Sequence, residues 1–263
     1  MPNADTVTPS VPNFRLDGMT ALITGAGRGL GVGMAKGLSQ SGAKVVLMSR
    51  TRSELEAVAE EIAASGGVAE ILVCDVTDED AVRAAIDGLP ALDILINNAG
   101  TNIPQSFVDV ESAALDTMLN LNVRAAFIVA QAAVNRMLKD KDRAARGGAV
   151  VNISSQLGHV ALRGRSVYTM TKHAIEGMTK SMAIELAPNR IRVNAVGPTW
   201  VDTPMTGPAL ADPEFRAEII GSIPMGHLAQ VDDIVGAVVF LASPAAAMIT
   251  GASLVVDGGW TAR

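Results

Sequence analysis

The chain has 263 residues, 49% apolar and 18% charged, with a formal net charge of −6. This composition suits a globule with a sizeable core, and the acidic balance argues against a nucleic-acid binder, which would carry a basic face. One cysteine, Cys74, excludes an intrachain disulfide and points to a reducing, cytoplasmic setting.

Residues 1–15 are polar and proline-bearing, and read as a flexible N-terminal extension. They lack the basic and apolar regions of a secretory signal. No apolar run approaches the ~20 residues that span a bilayer. Residues 16–263 show no linker or repeat, so one domain is expected.

Short apolar runs alternate with amphipathic stretches along this domain. Strands are predicted at 20–25, 44–50, 69–76, 92–100, 149–155, 191–198 and 252–259. Helices are predicted at 29–41, 52–65, 78–88, 111–138, 166–187 and 231–242. Continuous apolar runs suit parallel strands covered on both faces, so the fold class is α/β, a doubly wound parallel sheet with helices on both faces. Residues 199–226 hold four prolines between a strand and the next helix, and read as a long loop able to cover a substrate.

The first strand runs into "TGAGRGLG" at 24–31, which opens the first helix. Gly25, Gly29 and Gly31 let backbone approach a pyrophosphate, and the helix N-terminus offers N–H donors; Leu30 belongs to the same turn. At the end of the second strand an NAD binder carries a carboxylate for the ribose hydroxyls. Here Ser49 and Arg50 stand there, and Arg28 adds a second cation, which favours the 2′-phosphate of NADP(H) over NAD(H).

Three further signals accompany this turn: "NNAG" at 97–100, "NISSQLG" at 152–158, and Tyr168 followed four residues later by Lys172. Residues i and i+4 share a helix face, so tyrosine and lysine enter one cleft. A phenol near its unperturbed pKa of ~10 exchanges protons poorly at neutral pH. An adjacent ammonium is expected to lower that value, making Tyr168 a general acid in reduction and a base in oxidation.

As a set these motifs resemble the classical short-chain dehydrogenase/reductase family over about residues 16–263. The resemblance implies a single-domain Rossmann-type fold with a seven-stranded sheet, a homotetramer, and a catalytic set of Asn122, Ser155, Tyr168 and Lys172. Ser155 would hold the substrate oxygen, Lys172 the ribose hydroxyls, and Asn122 a water leading to solvent. Asn97, Asn98, Ala99 and Gly100 would line the cofactor, with Asp75 and Val76 at the adenine. Pro198, Val201 and Thr203 would stand at the nicotinamide. The family usually has glycine after that proline; this chain has Thr199.

Between Ser155 and Tyr168 the chain reads "QLGHVALRGR". Gln156, His159, Arg165 and Trp200 are candidate substrate contacts, with Leu157, Arg163 and Met205 beside them. A guanidinium three residues before the tyrosine suits a carboxylate or phosphate. The expected activity is interconversion of a carbonyl and a secondary alcohol on a small polar substrate, a hydroxy or oxo acid or a sugar. The rival is a 3-oxoacyl-[acyl-carrier-protein] reductase, docking its carrier on Arg124 or on residues 143–148. A noncatalytic NADP-sensing module is the reading from another class. No metal site is expected.

Overall fold

The computed structural model describes residues 12–140 and 147–262. Most of the expected N-terminal extension and most of the basic stretch 143–148 therefore lie outside the described residues. From Asn13 onward the chain is already fastened. The Asn13 carbonyl accepts from the Ala245 amide, Phe14 packs against Phe240 with centroids 6.2 Å apart, and Arg15 Nη1 donates to the Gln40 carbonyl. The ordered body starts before residue 16.

Seven parallel strands form one sheet in the order β3-β2-β1-β4-β5-β6-β7. They are β1 (Thr20–Thr24), β2 (Lys44–Ser49), β3 (Ala69–Val73), β4 (Ile94–Asn97), β5 (Gly148–Ile153), β6 (Ile191–Pro198) and β7 (Ser253–Val256). Every residue of β1 and β4 is buried. The reason is the covering of both faces, visible in the alternation along β1. Ala21 and Ile23 join one core with α1 (Leu30–Gln40), α2 (Arg52–Ala64) and α9 (Val231–Ala242). Leu22 joins the other, with α3 (Glu79–Asp87), α5 (Ala126–Lys139) and α6 (Ser166–Leu186).

Helix boundaries follow local chemistry. Asp78 accepts from the Ala81 amide to start α3, and Gln230 and Asp233 form a reciprocal capping box at α9. The apolar run 111–138 is not one regular helix. It divides into α4 (Ser112–Leu119), a π turn (Asn120–Ala125) and α5. Among the described residues, 112–139 is the only helical run long and apolar enough to cross a membrane, and more than half of its apolar window is buried in the protein.

Residues 199–226 differ more from expectation. They fold into α7 (Gly207–Leu210) and α8 (Pro213–Ser222), the latter started by Asp212, whose carboxylate accepts from the Glu214 and Phe215 amides, with proline at the first helical position. Trp200, Leu210, Ile219, Ile223, Leu228 and Trp260 make a third, separate core that holds this segment together. Two of the four prolines, Pro208 and Pro213, mark helix starts within a small covering layer.

Strand order reverses between β1 and β4, and a crevice outside the carboxyl ends of such strands is the ordinary ligand position in open α/β sheets.

Candidate active site

One wall of the crevice is the turn from β1 to α1. A Cβ on Gly31 would lie 2.1 Å from the Gly25 carbonyl oxygen, which only glycine permits. Gly25 has φ +65°, and a Cβ there would meet Asn98 Nδ2 at 3.0 Å and Ala99 Cα at 3.3 Å. Gly29 caps α1 with φ 57° and no side-chain cap, so no side chain takes up the first helical amides. Across from it, Thr203 Cβ would be 3.8 Å from an added Cβ. Bare amides between Gly29 and Thr203, floored by Leu30 at the helix start, fit a dinucleotide pyrophosphate.

Thr24, which was not singled out from the sequence, joins this turn to "NNAG". Its buried hydroxyl accepts from the amides of Asn98 (2.9 Å) and Ala99 (3.0 Å), and Asn98 Nδ2 donates to the Thr24 carbonyl. A threonine ending the first strand before the glycines was the available signal. Asn97 is a correction. Its buried amide donates to the Ala126 carbonyl at 2.8 Å and to Asn152 Oδ1 at 3.3 Å, so it ties β4 to α5 and β5 and does not line the cofactor groove.

At the far end of β2, Ser49 is half-buried and Arg28 is exposed. Arg50 is exposed and lies 3.7 Å from Asp75. The Asp75 carboxylate accepts from the Thr77 amide and hydroxyl at 2.9 and 2.8 Å. Burial raises its pKa, but these bonds and Arg50 outweigh that and hold it below the ordinary value. One oxygen assigned to adenine is thus already used within its own turn, with Val76 buried beside it. A Cβ on Gly27 would lie 2.7 Å from Glu54 Oε2 and 3.2 Å from Ser49 Oγ. Glu54 therefore brings a carboxylate to the region where Arg28 and Arg50 are expected to read a phosphate.

Asn122 lies in the π turn, 2% exposed. Its Oδ1 accepts from the Thr101 amide at 2.8 Å, and its Nδ2 donates to the Thr101 carbonyl at 2.8 Å and to Thr171 Oγ1 at 3.2 Å. Both amide hydrogens are used. The side chain pins the segment after Gly100 to α6 and has no donor left for a water.

Tyr168, Lys172 and Glu176 follow one another at single-turn spacing on α6. Lys172 Nζ donates to the Ile153 carbonyl at 2.8 Å and lies 5.5 Å from the Tyr168 ring centroid. Ser155 lies just beyond β5, near enough to the Tyr168 phenol to lower its pKa. Its Oγ donates to Gln156 Oε1 at 2.8 Å. Burial pushes the Tyr168 pKa up to about 12, against the lowering effects of Ser155 and the Arg165 charge. Burial weakens Lys172 too, bringing its pKa down to about 8, while the Glu176 carboxylate supports its charge. The two groups are brought together, and in this desolvated state burial outweighs what lowers the phenol's pKa.

On the substrate side the candidates separate. Gln156 and Trp200 are buried at the site, and Leu157 is buried behind Ser155. Arg165 is 9% exposed, with its guanidinium carbon 5.8 Å from the Trp200 ring centroid. Arg163 is exposed and reaches Glu218 at 3.5 Å. Met205 is 57% exposed, so it is no pocket wall here. His159 is also a correction. Its Nε2 lies 2.9 Å from Ser253 Oγ and 3.4 Å from Glu176 Oε1, which commits the ring to a cluster behind the tyrosine. Pro198 accepts from Ser155 at 3.5 Å, and Val201 bridges to Ala229. Thr199 is buried without a positive φ, so glycine is not required for backbone reasons, and its hydroxyl has no partner. Among the described residues no His, Cys, Asp and Glu group could hold a metal.

Comparison with known proteins agrees with this arrangement. The family described as enoyl-(acyl carrier protein) reductase matches residues 25–261. L-xylulose reductase of Bos taurus is 40% identical over 252 residues, covering 95% of this chain and 99% of that protein. D-erythrulose reductase of Gallus gallus is 41% identical, covering 95% and 98%. The crystal structure of a gluconate 5-dehydrogenase from Burkholderia cenocepacia J2315 in complex with NADP and tartrate superposes with a TM-score of 0.90 at 34% identity, covering 96% of this chain and 98% of that one. With a dinucleotide cradle, a serine, a tyrosine and a lysine assembled at the switch point of one parallel sheet, the chain belongs to the short-chain dehydrogenase/reductase family and is a nicotinamide-dependent oxidoreductase of the carbonyl/alcohol pair.

Proposed function

We propose that the protein is an NADP(H)-preferring enzyme that interconverts a ketone and a secondary alcohol on a small, sugar-type substrate. The observation that carries this reading is the gathering of Ser155, Tyr168 and Lys172 in one desolvated crevice, with Lys172 Nζ 5.5 Å from the Tyr168 ring centroid. The relatives act on xylulose, erythrulose and gluconate by name, which supports the substrate class.

The residues of the glycine turn, with Asn98, Ala99, Gly100, Val201 and Thr203, would hold the cofactor, and Arg28 and Arg50 its 2′-phosphate. When bound, the cofactor supplies or accepts the hydride at the carbonyl carbon. Ser155 Oγ holds the substrate oxygen within reach of the phenol. Tyr168 donates its proton to the forming alkoxide in reduction and takes it back in oxidation. A pKa pushed to about 12 suits the acid role and requires help in the base role. Lys172 holds the ribose hydroxyls and returns the proton from solvent. The water on that path falls to the carbonyls of the π turn around Asn122, because the π turn interrupts the regular helical ladder there.

A carrier-linked 3-oxoacyl substrate is less well served. Arg124 is paired with Glu79 at 2.5 Å, leaving no evident basic dock there. A purely sensing module would have no use for the serine–tyrosine pair. A homotetramer fits the half- to mostly exposed Phe127, Met170 and Ile184 on the long helices α5 and α6. A cytoplasmic setting fits the single buried cysteine.

The test is Tyr168→Phe. Turnover of the ketose and of gluconate should fall about 10²–10⁴-fold with cofactor affinity retained. A variant with full turnover would sink the mechanism.

A further inference from the structure

The feature that the proposed chemistry leaves unused is Arg165. It is a buried cation in the catalytic crevice with almost nothing to balance it. Its Nη1 donates at 3.1 Å to the carbonyl of its own neighbour Gly164, and its Nε has no partner. Among the described residues no carboxylate pairs with it, whereas exposed Arg163, two positions earlier, has Glu218. The ring of Trp200 flanks the guanidinium at 5.8 Å, and Phe215 of α8 braces that ring edge-on at 5.4 Å. Burial weakens its charge, and its only resolved electrostatic neighbour is the catalytic Tyr168.

Proteins bury charges with partners, because a desolvated and uncompensated charge is costly. A guanidinium with an unpartnered Nε edge presents parallel donors matched to two oxygens of a planar anion. The position limits the ligand further. Arg165 stands three residues before Tyr168, so whatever it binds is covalently close to the carbonyl under reduction. The charge count chooses between anions. A phosphate monoester carries −1.5 to −2 near neutral pH. Arg165 offers one positive charge, Lys172 is engaged with Ile153, and Arg163 is outside and paired.

We propose that Arg165, backed by Trp200, binds a carboxylate of the substrate, so that the enzyme acts on a hydroxy or oxo acid of the aldonic type in preference to a neutral sugar or polyol. This rests on the sugar-type reading above and narrows it to acids.

The experiment compares gluconate with glucitol, its counterpart lacking the carboxylate, and with glucitol 6-phosphate. Calorimetry on the protein–NADP complex measures binding, and steady-state kinetics measures turnover. Wild-type protein should bind gluconate at least tenfold more tightly than either comparison compound. Arg165→Met keeps an unbranched stem against Trp200. It should lower gluconate affinity and kcat/KM about 100-fold, a loss at least tenfold larger than any it causes on glucitol through Tyr168. Arg165→Lys should fall between, since the charge remains without the fork. Equal wild-type binding of gluconate and glucitol overturns the proposal, whether or not the variants fold. Tighter binding of the phosphate also overturns it. So does an equal loss on gluconate and glucitol with a shifted pH profile, which would mean that Arg165 serves Tyr168 instead. Selective gluconate binding lost in Arg165→Met, without turnover of either compound, would sustain the carboxylate site while sinking the sugar-type reaction.

Discussion

The two sides of the crevice are built in opposite ways. On the cofactor side the binding surface is backbone: glycines whose added Cβ would strike a carbonyl or Ala99, pinned by the buried Thr24 hydroxyl. Its charged residues, Arg28 and Arg50, are on the outside in water. On the substrate side the surface is side chain: Gln156, Trp200 and Arg165, buried under a satellite core that α7 and α8 carry. On the proposed reading, main-chain geometry holds the cofactor, and side chains on a layer that packs separately from the sheet choose the substrate.

The comparison breaks most sharply at Gly31. Gly31→Ala sets a Cβ 2.1 Å from a backbone oxygen that cannot give way. Cofactor affinity should fall by about 100-fold or more, with a lower melting temperature. Gly221→Ala in α8, with nothing within 4 Å of its Cβ, should leave affinity unchanged and add about 0.5–1 kcal/mol of stability. Normal cofactor titration of Gly31→Ala would show that the backbone cradle is not the binding surface.

Arg50→Asp tests the exposed charges. NADPH affinity should drop about tenfold, ~1.4 kcal/mol, with NADH spared. The effect is bounded because exposed ion pairs are weak and Asp75 already shares this arginine. An unchanged NADPH-to-NADH ratio would remove Arg50 from cofactor choice and turn attention to Glu54 and Ser49.

A smaller effect is expected at Glu176, which supports the charge on Lys172. Lys172 has a folded-state pKa of about 8, below its ordinary 10.5. The folded protein therefore releases this proton first. The cost of burying the cation is present in full below about pH 8 and is relieved as pH rises from there toward 10.5. Glu176→Gln removes the supporting charge, so the alkaline limb of kcat/KM and the onset of that relief should both move to lower pH. Profiles that overlay the wild type would detach Glu176 from the lysine.

Much of the sheet was legible because its strands are buried on both faces and carry continuous apolar runs. Each predicted strand and helix of the sheet has its counterpart within a few residues. Residues 199–226 read as loop because prolines punctuate them, yet Asp212 and Pro213 together start a helix, a local signal that was passed over. The π turn was not legible, since its extra residue leaves the apolar periodicity of 112–139 almost intact. At the site, sequence spacing placed Tyr168, Lys172 and Ser155 within one crevice. It did not show that burial works against the phenol's acidity, because desolvation depends on neighbours far along the chain. Asn97 and His159 were assigned to ligands by their position, whereas the α5 carbonyl and the Ser253–Glu176 pair engage them.

Sequence alone determined the periodic features: strand and helix order, the glycine spacing at the first turn, and the i, i+4 pairing of tyrosine with lysine. These are local, because period and backbone freedom are properties of adjacent residues. Tertiary structure decided which charges are buried and which are paired. Arg163 and Arg165 look equivalent in the chain, yet one faces water beside Glu218 and the other lies under Trp200 without an acid. Burial and pairing come from residues on other elements, and in the proposal above they set the charge of the substrate that this site accepts.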